Sequence, residues 1–247
     1  MIHTKHSTRG SIVIFAGIFL NLLLLYPACL HANETGPGGQ DVVFVSLGVS
    51  DGLSQSRAKH IVEDGFGFIW IATDDGLNRF DGHHFEVLRH VWNDENSLSS
   101  SIIERLYACN EKHVLWVATA RGLNRISLSG GLVERIDLLD EEAEPAIFDV
   151  MASSNGTIWA VSHESGLFVL NPYGELLKHI VPGTPDSGLP PAIIDAILID
   201  KSDRIWLSLR GYGLYVSTGH EGRFVFTVKA KHANSEEDWQ ISTMSQD

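Results

Sequence analysis

The feature that most constrains the fold of this 247-residue chain is a unit that occurs four times, each time around one tryptophan. In every unit a short apolar segment that contains the tryptophan precedes a Gly-Leu pair. The segments are Ile69–Thr73, Leu115–Thr119, Ile158–Val161 and Ile205–Ser208. Trp70, Trp116, Trp159 and Trp206 are 46, 43 and 47 residues apart. This period matches one four-stranded propeller blade and is too long for a leucine-rich or ankyrin repeat. The spacing therefore predicts an all-β fold, a β-propeller with four four-stranded blades.

The residue types within one unit predict how the blades pack. Successive side chains of a strand point to opposite faces, so Trp70 and Ala72 face one way while Ile69 and Ile71 face the other. Because both faces are apolar, we expect each sheet to be covered on both sides by neighbouring blades. The four tryptophans are therefore predicted to fill the core between blades rather than to line a ligand box.

The glycine before each leucine predicts a tight hairpin. It is Gly76 in the first unit and Gly122, Gly166 and Gly213 in the others. A turn that ends in positive φ favours glycine, which has no Cβ. Variable polar stretches such as Asn93–Ser100 and Asp137–Pro145 are predicted to form connecting loops at the blade edges.

Two runs of residues resemble a known repeat family. They are Asp51–Ser56, with the sequence Asp-Gly-Leu-Ser-Gln-Ser, and Glu63–Gly82, which contains the first tryptophan segment and its Gly-Leu pair. The runs resemble the opening of the two-component regulator propeller repeat family. The resemblance implies a periplasmic sensor propeller, commonly seven-bladed, ahead of a transmembrane helix and a histidine kinase or diguanylate cyclase.

The end of the chain suggests a fifth unit. Gln240–Asp247 is similar to the first strand of another blade, and it stops before a tryptophan segment. Residues 44–247 are therefore interpreted as propeller repeats, the amino-terminal part of a seven-bladed ring in a longer sensor.

The amino terminus predicts export. Lys5 and Arg9 precede an uncharged, mostly apolar stretch, Ser11–Tyr26, and Leu30-His31-Ala32 offers a small-residue cleavage site. Residues 1–32 are thus expected to be a signal peptide or an N-terminal anchor, and residues 33–43 a linker. Either case predicts a periplasmic propeller, free or anchored to the inner membrane.

Charge and cysteine content narrow the function. The chain has 18 basic and 31 acidic residues, and removal of Lys5 and Arg9 leaves 16 against 31, a net charge of −15. Nucleic acid is therefore not expected as a partner, because duplex binding needs a basic face. Cys109 remains as the single cysteine of residues 33–247 and is expected to be a small buried hydrophobe.

Candidate chemical groups are sparse, so no catalytic residue, metal or cofactor is assigned and the ligand-binding residues stay unknown. Asp74-Asp75-Gly76 is interpreted as a hairpin rather than a calcium turn, and His83-His84 as a turn whose side chains diverge. The acidic run Asp140–Glu144 is expected to be a solvated loop. Ser54–Arg57 could line a funnel or form a solvated edge.

Three classes of function follow. The first is a non-catalytic sensor whose loops at one end bind a small molecule, such as a saccharide, or a partner, and so bias a dimer. The second is an exported propeller enzyme similar to streptogramin lyases, which predicts His, Asp or Glu side chains that converge on the central axis. The third is a structural or interaction module. The sensor is the favoured interpretation, and it rests on the family resemblance.

Overall fold

The computed structural model describes residues 45–139 and 144–217, and the backbone of the strand at Phe226–Ala230. The chain divides into two compact units, 1–47 and 48–247, and the strands belong to the second. The predicted signal segment, the linker through residue 43 and the start of a fifth unit lie outside the described residues. No helix within the described ranges is long and apolar enough to cross a bilayer.

Within the described residues, sixteen strands form four sheets of four, one around each tryptophan segment. The first sheet contains β1 (His60–Glu63), β2 (Ile69–Thr73), β3 (Gly76–Phe80) and β4 (Phe85–Leu88). The second contains β5 (Ile103–Cys109), β6 (Val114–Thr119), β7 (Gly122–Ser127) and β8 (Val133–Ile136). The third contains β9 (Asp149–Ala152), β10 (Ile158–Ser162), β11 (Gly166–Leu170) and β12 (Leu176–Ile180). The fourth contains β13 (Ile194–Ile199), β14 (Ile205–Leu209), β15 (Gly213–Ser217) and β16 (Phe226–Ala230).

Each sheet is an antiparallel meander, and the first strands of consecutive sheets contact one another. β5 packs against β1 and β9, and β9 packs against β13. The four sheets are therefore blades of a β-propeller with β1, β5, β9 and β13 as the inner strands, as the repeat predicts.

The apolar core lies between blades, in three clusters that each contain one tryptophan. Trp70 packs between the first and second sheets, Trp116 between the second and third, and Trp159 between the third and fourth. These three side chains are at most 4% exposed, whereas Trp206 in the fourth sheet is half-buried. The prediction that the tryptophans fill interfaces between blades is confirmed for the first three.

The hairpin glycine has the predicted conformation. Thr73 pairs with Gly76, so only Asp74 and Asp75 form the loop, and φ at Gly76 is 120°. A Cβ at Gly76 would lie 2.7 Å from the carbonyl oxygen of Leu88. Both the positive φ and this close approach exclude other residues.

Buried side-chain hydrogen bonds connect each of the first two blades to the loop that precedes it. We call this arrangement the polar lock. Asn78 accepts the N–H of Ser54 at 2.8 Å and donates to its hydroxyl at 2.8 Å, and that hydroxyl lies 2.8 Å from Thr73 Oγ1. Asn124, Ser99 and Thr119 repeat this arrangement in the second blade. Asn78 and Asn124 are fully buried, so water cannot reach their side-chain amides. The hydrogen bonds within the blade therefore provide the partners that these amides need.

The last two blades lack the asparagine of the polar lock. At the position opposite the residue that follows the tryptophan, the third blade has Phe168 and the fourth has Tyr215. Phe168 is fully buried and stacks on His179, with ring centroids 4.4 Å apart. Aromatic packing therefore replaces the polar lock at this position of the third blade.

A second repeated bond ties the tryptophan to the turn before it. Trp70 donates its indole N–H to Asp64 at 2.7 Å, Trp159 to Ser153 at 2.8 Å, and Trp206 to Asp200 at 2.9 Å. The second blade has Asn110 at this position, where a short 3-10 helix, Asn110–Lys112, replaces the turn. The second blade thus differs from the other three in the turn before its tryptophan.

Candidate functional site

The hairpins between the second and third strands share one end of the blades with the loops that join consecutive sheets. Gly76 donates its N–H to Ser101 in the loop between the first two sheets at 2.7 Å, and Gly122 donates to Pro145 in the next loop at 2.8 Å. We call this side the hairpin end. It carries the long loops of the described chain, where propellers can place binding residues without disturbing the strands.

The loop between the first and second sheets, residues 89–102, is held by an arginine of the second sheet. Arg135 donates from Nη2 to the carbonyl oxygen of Asp94 at 2.7 Å and to Ser97 Oγ at 3.0 Å, and from Nε to the carbonyl oxygen of Ser97 at 3.0 Å. Planar guanidinium donors satisfy several loop acceptors at once, and this fixes the course of the backbone.

The same loop also bonds to itself. His90 contacts the carbonyl oxygen of Leu98 through Nδ1 at 2.8 Å, and Val91 donates its N–H to Ser97 Oγ at 2.9 Å. Leu98 is fully buried in the cluster between the first two sheets. The stretch Asn93–Ser100 is therefore a connecting loop, as predicted, but it is anchored at Leu98 by a buried side chain.

This anchored loop presents Trp92 to solvent. The Trp92 side chain is 79% exposed, the highest value among the large hydrophobic side chains that the structure describes. The neighbouring Asn93 has φ of 62°, a left-handed conformation that asparagine tolerates. An exposed indole on a bonded loop loses little conformational entropy when it contacts a ligand.

Trp92 borders a pocket of about 450 Å³ at the hairpin end. The other lining residues come from the same loop, from the β6–β7 hairpin, from β8 and from the loop before β9; they are His90, Asn93, Asp94, Glu95, Ser99, Arg121, Arg135 and Glu144. The pocket therefore combines one flat aromatic surface with side chains that donate and accept hydrogen bonds.

Glu144 corrects one expectation of the sequence. The acidic run was expected to be solvated, but Glu144 is half-buried beside Gly122, and its Oε2 atom is buried without a hydrogen-bond partner. Burial raises the pKa of this carboxyl. The remainder of the run, residues 140–143, lies outside the described residues. Glu144 therefore lies in the wall of the pocket rather than in a solvated loop.

Charged side chains on and near the inner strands form ion pairs. Lys59 bonds to Asp74 and, at 2.8 Å, to Glu104; Arg210 bonds to Asp195 at 2.6 Å. Asp75 pairs with Arg89 at 3.0 Å. The carboxylates of Asp74 and Asp75 thus each face a cation, which agrees with the hairpin interpretation of this turn.

The inner strands also bring titratable groups to the walls of one cleft. His60, Arg105 and Asp149 line one cleft, and Arg105 Nε lies 3.1 Å from Asp149 Oδ1. Burial, and secondarily Arg105, lowers the pKa of His60 to about 4. Burial raises the pKa of Asp149 to about 6 although Arg105 opposes the shift.

The other residues noted in the sequence lie apart from both cavities. His83 and His84 are exposed in the turn after β3, where both backbone N–H groups bond to Asp81 at 2.7 Å. Cys109 is half-buried rather than buried. Ser54 belongs to the first polar lock and Arg57 is exposed, so this stretch begins as a structural contact and ends as a solvated edge.

Sequence reasoning missed Trp92 as a candidate. The signal was present, because Trp92 follows Trp70 by 22 residues and so breaks the period of the structural tryptophans. The repeat therefore assigns Trp92 no place in the core between blades. Its exposure in the structure makes it a tryptophan to examine for binding.

Comparison with known proteins agrees with the propeller architecture. No protein-family model matches the chain. Histidine kinase P4 of Formosa agariphila is 47% identical over 57 residues, which is 23% of this chain and 4% of that protein.

Solved structures with the same fold include extracellular domains of bacterial signalling systems. An extracellular domain assigned to a hybrid two-component system of B. thetaiotaomicron has a TM-score of 0.61 at 21% identity and covers 70% of this chain and 25% of its own. One assigned to a one-component system of the same organism has a TM-score of 0.59 at 18% identity, covering 74% and 26%. An ancestral GH74 enzyme has a TM-score of 0.52 at 14% identity, covering 71% and 24%. The chain thus spans about a quarter of each of these three solved chains, and the likeness defines its fold.

Proposed function

We propose that this chain is the ligand-sensing part of an exported signal-transduction protein and that it binds a saccharide at the hairpin end without catalysis. The local similarity to a histidine kinase and the fold shared with extracellular domains of two- and one-component systems support the signalling role. The observation that carries the proposal is the exposed Trp92 on an anchored loop beside a polar pocket.

The chemistry of the pocket suits a saccharide. The face of an indole offers a flat apolar surface to the C–H groups of a sugar ring. Glu144 and Glu95 accept hydrogen bonds from hydroxyl groups, and Arg121 and Asn93 donate to them. A volume of about 450 Å³ lies within the usual range for small-ligand sites. In the full-length protein, binding energy at this pocket would bias the arrangement of a dimer and so reach an output domain.

The test is a binding measurement with matched variants. A panel of neutral oligosaccharides is titrated into the 247-residue chain by calorimetry, and Trp92→Ala is compared with Tyr173→Ala, whose side chain is 74% exposed outside the pocket. We expect Trp92→Ala to weaken the best saccharide by at least about tenfold, or about 1.4 kcal/mol, and Tyr173→Ala to have no effect. Equal affinities for both variants, or no binding by any saccharide, would overturn the proposal.

An enzyme is the second candidate, because His60 and Asp149 line one cleft and one solved structure with this fold is an ancestral GH74 enzyme. An acid with its pKa raised to about 6 is suited to proton transfer. Product analysis distinguishes the two functions. The sensor proposal expects the bound saccharide to be recovered intact after prolonged incubation, whereas cleavage that is lost in Asp149→Asn would establish the enzyme.

A further inference from the structure

A second cavity lies where the inner strands meet. It has a volume of about 480 Å³ and shares no lining residue with the pocket around Trp92. We call it the axial cleft. Its walls combine apolar side chains, among them Val62, Ala108 and Met151, with the polar side chains of His60, Glu63, Arg105, Tyr107 and Asp149. A cavity that combines apolar surface with convergent polar groups is a usual form of a site for a small organic molecule.

Arg105 supplies the first of these polar groups and keeps unused hydrogen-bonding capacity. Its Nε atom is 3.1 Å from Asp149 Oδ1, yet the geometry leaves Nε buried without a hydrogen bond. By contrast, Arg210 bonds to Asp195 through both Nε and Nη2, at 3.0 and 2.6 Å. Because Nε is buried and faces Asp149, a ligand in the cleft contacts the exposed part of the Arg105 guanidinium, whose side chain is 33% exposed and borders the cleft.

His60 supplies a second donor. Its Nδ1 accepts the backbone N–H of Leu106 at 3.4 Å, so in the neutral ring the proton is on Nε2. The pKa of about 4 keeps this ring neutral at physiological pH. His60 and Arg105 thus offer N–H donors at the same cleft, where Asp149 is the partner of only one of them.

We propose that the axial cleft binds a small carboxylate with a short apolar body. Arg105 and His60 donate to the carboxylate, since the guanidinium fork matches a planar pair of oxygens. The apolar body contacts the half-buried side chains of Val62, Ala108 and Met151. This inference does not depend on the saccharide site, because the two cavities are separate.

Asp149 links the binding to pH. Bound carboxylate and ionised Asp149 would share the Arg105 charge and repel each other, so protonation of Asp149 favours binding. The charged and titratable groups on the elements around Asp149 are Glu104, Arg105 and Tyr107 on β5, Asp195 on β13, His163 just after β10, and Lys59, His60 and Glu63 on and beside β1, which packs against β5. Lys59 and Glu104 bond to each other, and Asp195 is bonded to Arg210, so Arg105 is the cation that contacts Asp149.

The test is a titration of the 247-residue chain with butyrate, with butyramide as the neutral analogue and inorganic phosphate as the oxyanion without an apolar body. We expect saturable butyrate binding that tightens by at least threefold between about pH 7 and about pH 5.5. Butyramide and phosphate are expected to bind at least tenfold more weakly. Binding of phosphate as tight as that of butyrate, or no butyrate binding, would overturn the proposal.

Two variants assign the site. Arg105→Gln is expected to abolish butyrate binding, with Arg57→Gln, an exposed arginine outside the cleft, as the unchanged control. Asp149→Asn is expected to bind butyrate more tightly than the unsubstituted chain at neutral pH and to lose the pH dependence. Because this second result is a gain of affinity, a folding defect cannot produce it. Unchanged affinity and pH dependence in Asp149→Asn would contradict the proposed link.

Discussion

Tryptophan has opposite environments in the apolar core between blades and at the hairpin end. Trp70, Trp116 and Trp159 recur at a period of 43–46 residues and are at most 4% exposed, whereas Trp92 interrupts that period and is 79% exposed. Each interior ring fills an interface between two sheets, and Trp92 lies on a loop that other residues hold in place. The comparison teaches that position relative to the repeat, rather than residue type, separates scaffold from site in this chain.

The largest expected contrast is in stability. Trp116→Ala should lower the free energy of unfolding by about 3–5 kcal/mol, because the buried indole leaves a cavity between the second and third sheets. Trp92→Ala should change it by less than about 0.5 kcal/mol, as for other exposed positions. Urea denaturation of the two variants measures both values. Similar losses in both would break the division between scaffold and site.

The polar lock provides a smaller effect in the same interior. Asn124→Ala removes the partner of the Ser99 N–H and hydroxyl group, so we expect a loss of about 1–3 kcal/mol in the free energy of unfolding. Asn96→Ala, an exposed position, is the control and should be near neutral. An equally small change in Asn124→Ala would show that the lock does not stabilise the blade.

The single bond between indole and turn should contribute least. Ser153→Ala removes the acceptor of the Trp159 indole N–H, and a loss of about 1 kcal/mol is expected from thermal or urea unfolding. Ser129→Ala in an exposed turn serves as the comparison. If Ser153→Ala cost as much as Trp116→Ala, the tryptophans would owe their place to this bond rather than to packing.

The scaffold was predictable from the sequence because it repeats. The fixed positions of tryptophan, glycine and leucine indicated the strands, the hairpins and the interfaces between blades. These three features are enough to define the architecture of a propeller. The acceptors of the indole N–H groups also follow a fixed spacing, since Asp64, Ser153 and Asp200 each precede their tryptophan by six residues.

The candidate sites were not predictable, because each combines residues that no local pattern connects. The pocket around Trp92 joins residues 90–99 to Arg121, Arg135 and Glu144. The axial cleft joins His60, Arg105 and Asp149 across three sheets, with an adjustment of register in β5 between Ile103 and Arg105. Such groups meet only when the blades pack, so their burial and shifted pKa values are properties of the fold.

The most direct test is to follow the indole N–H signals of the chain by NMR while a bound saccharide is titrated. The chain has six tryptophans, and a Trp92→Phe variant identifies the signal of Trp92. The account predicts that the Trp92 signal shifts with saturation while those of Trp70, Trp116 and Trp159 stay in place. Shifts confined to the interior tryptophans, with the Trp92 signal unmoved, would contradict it.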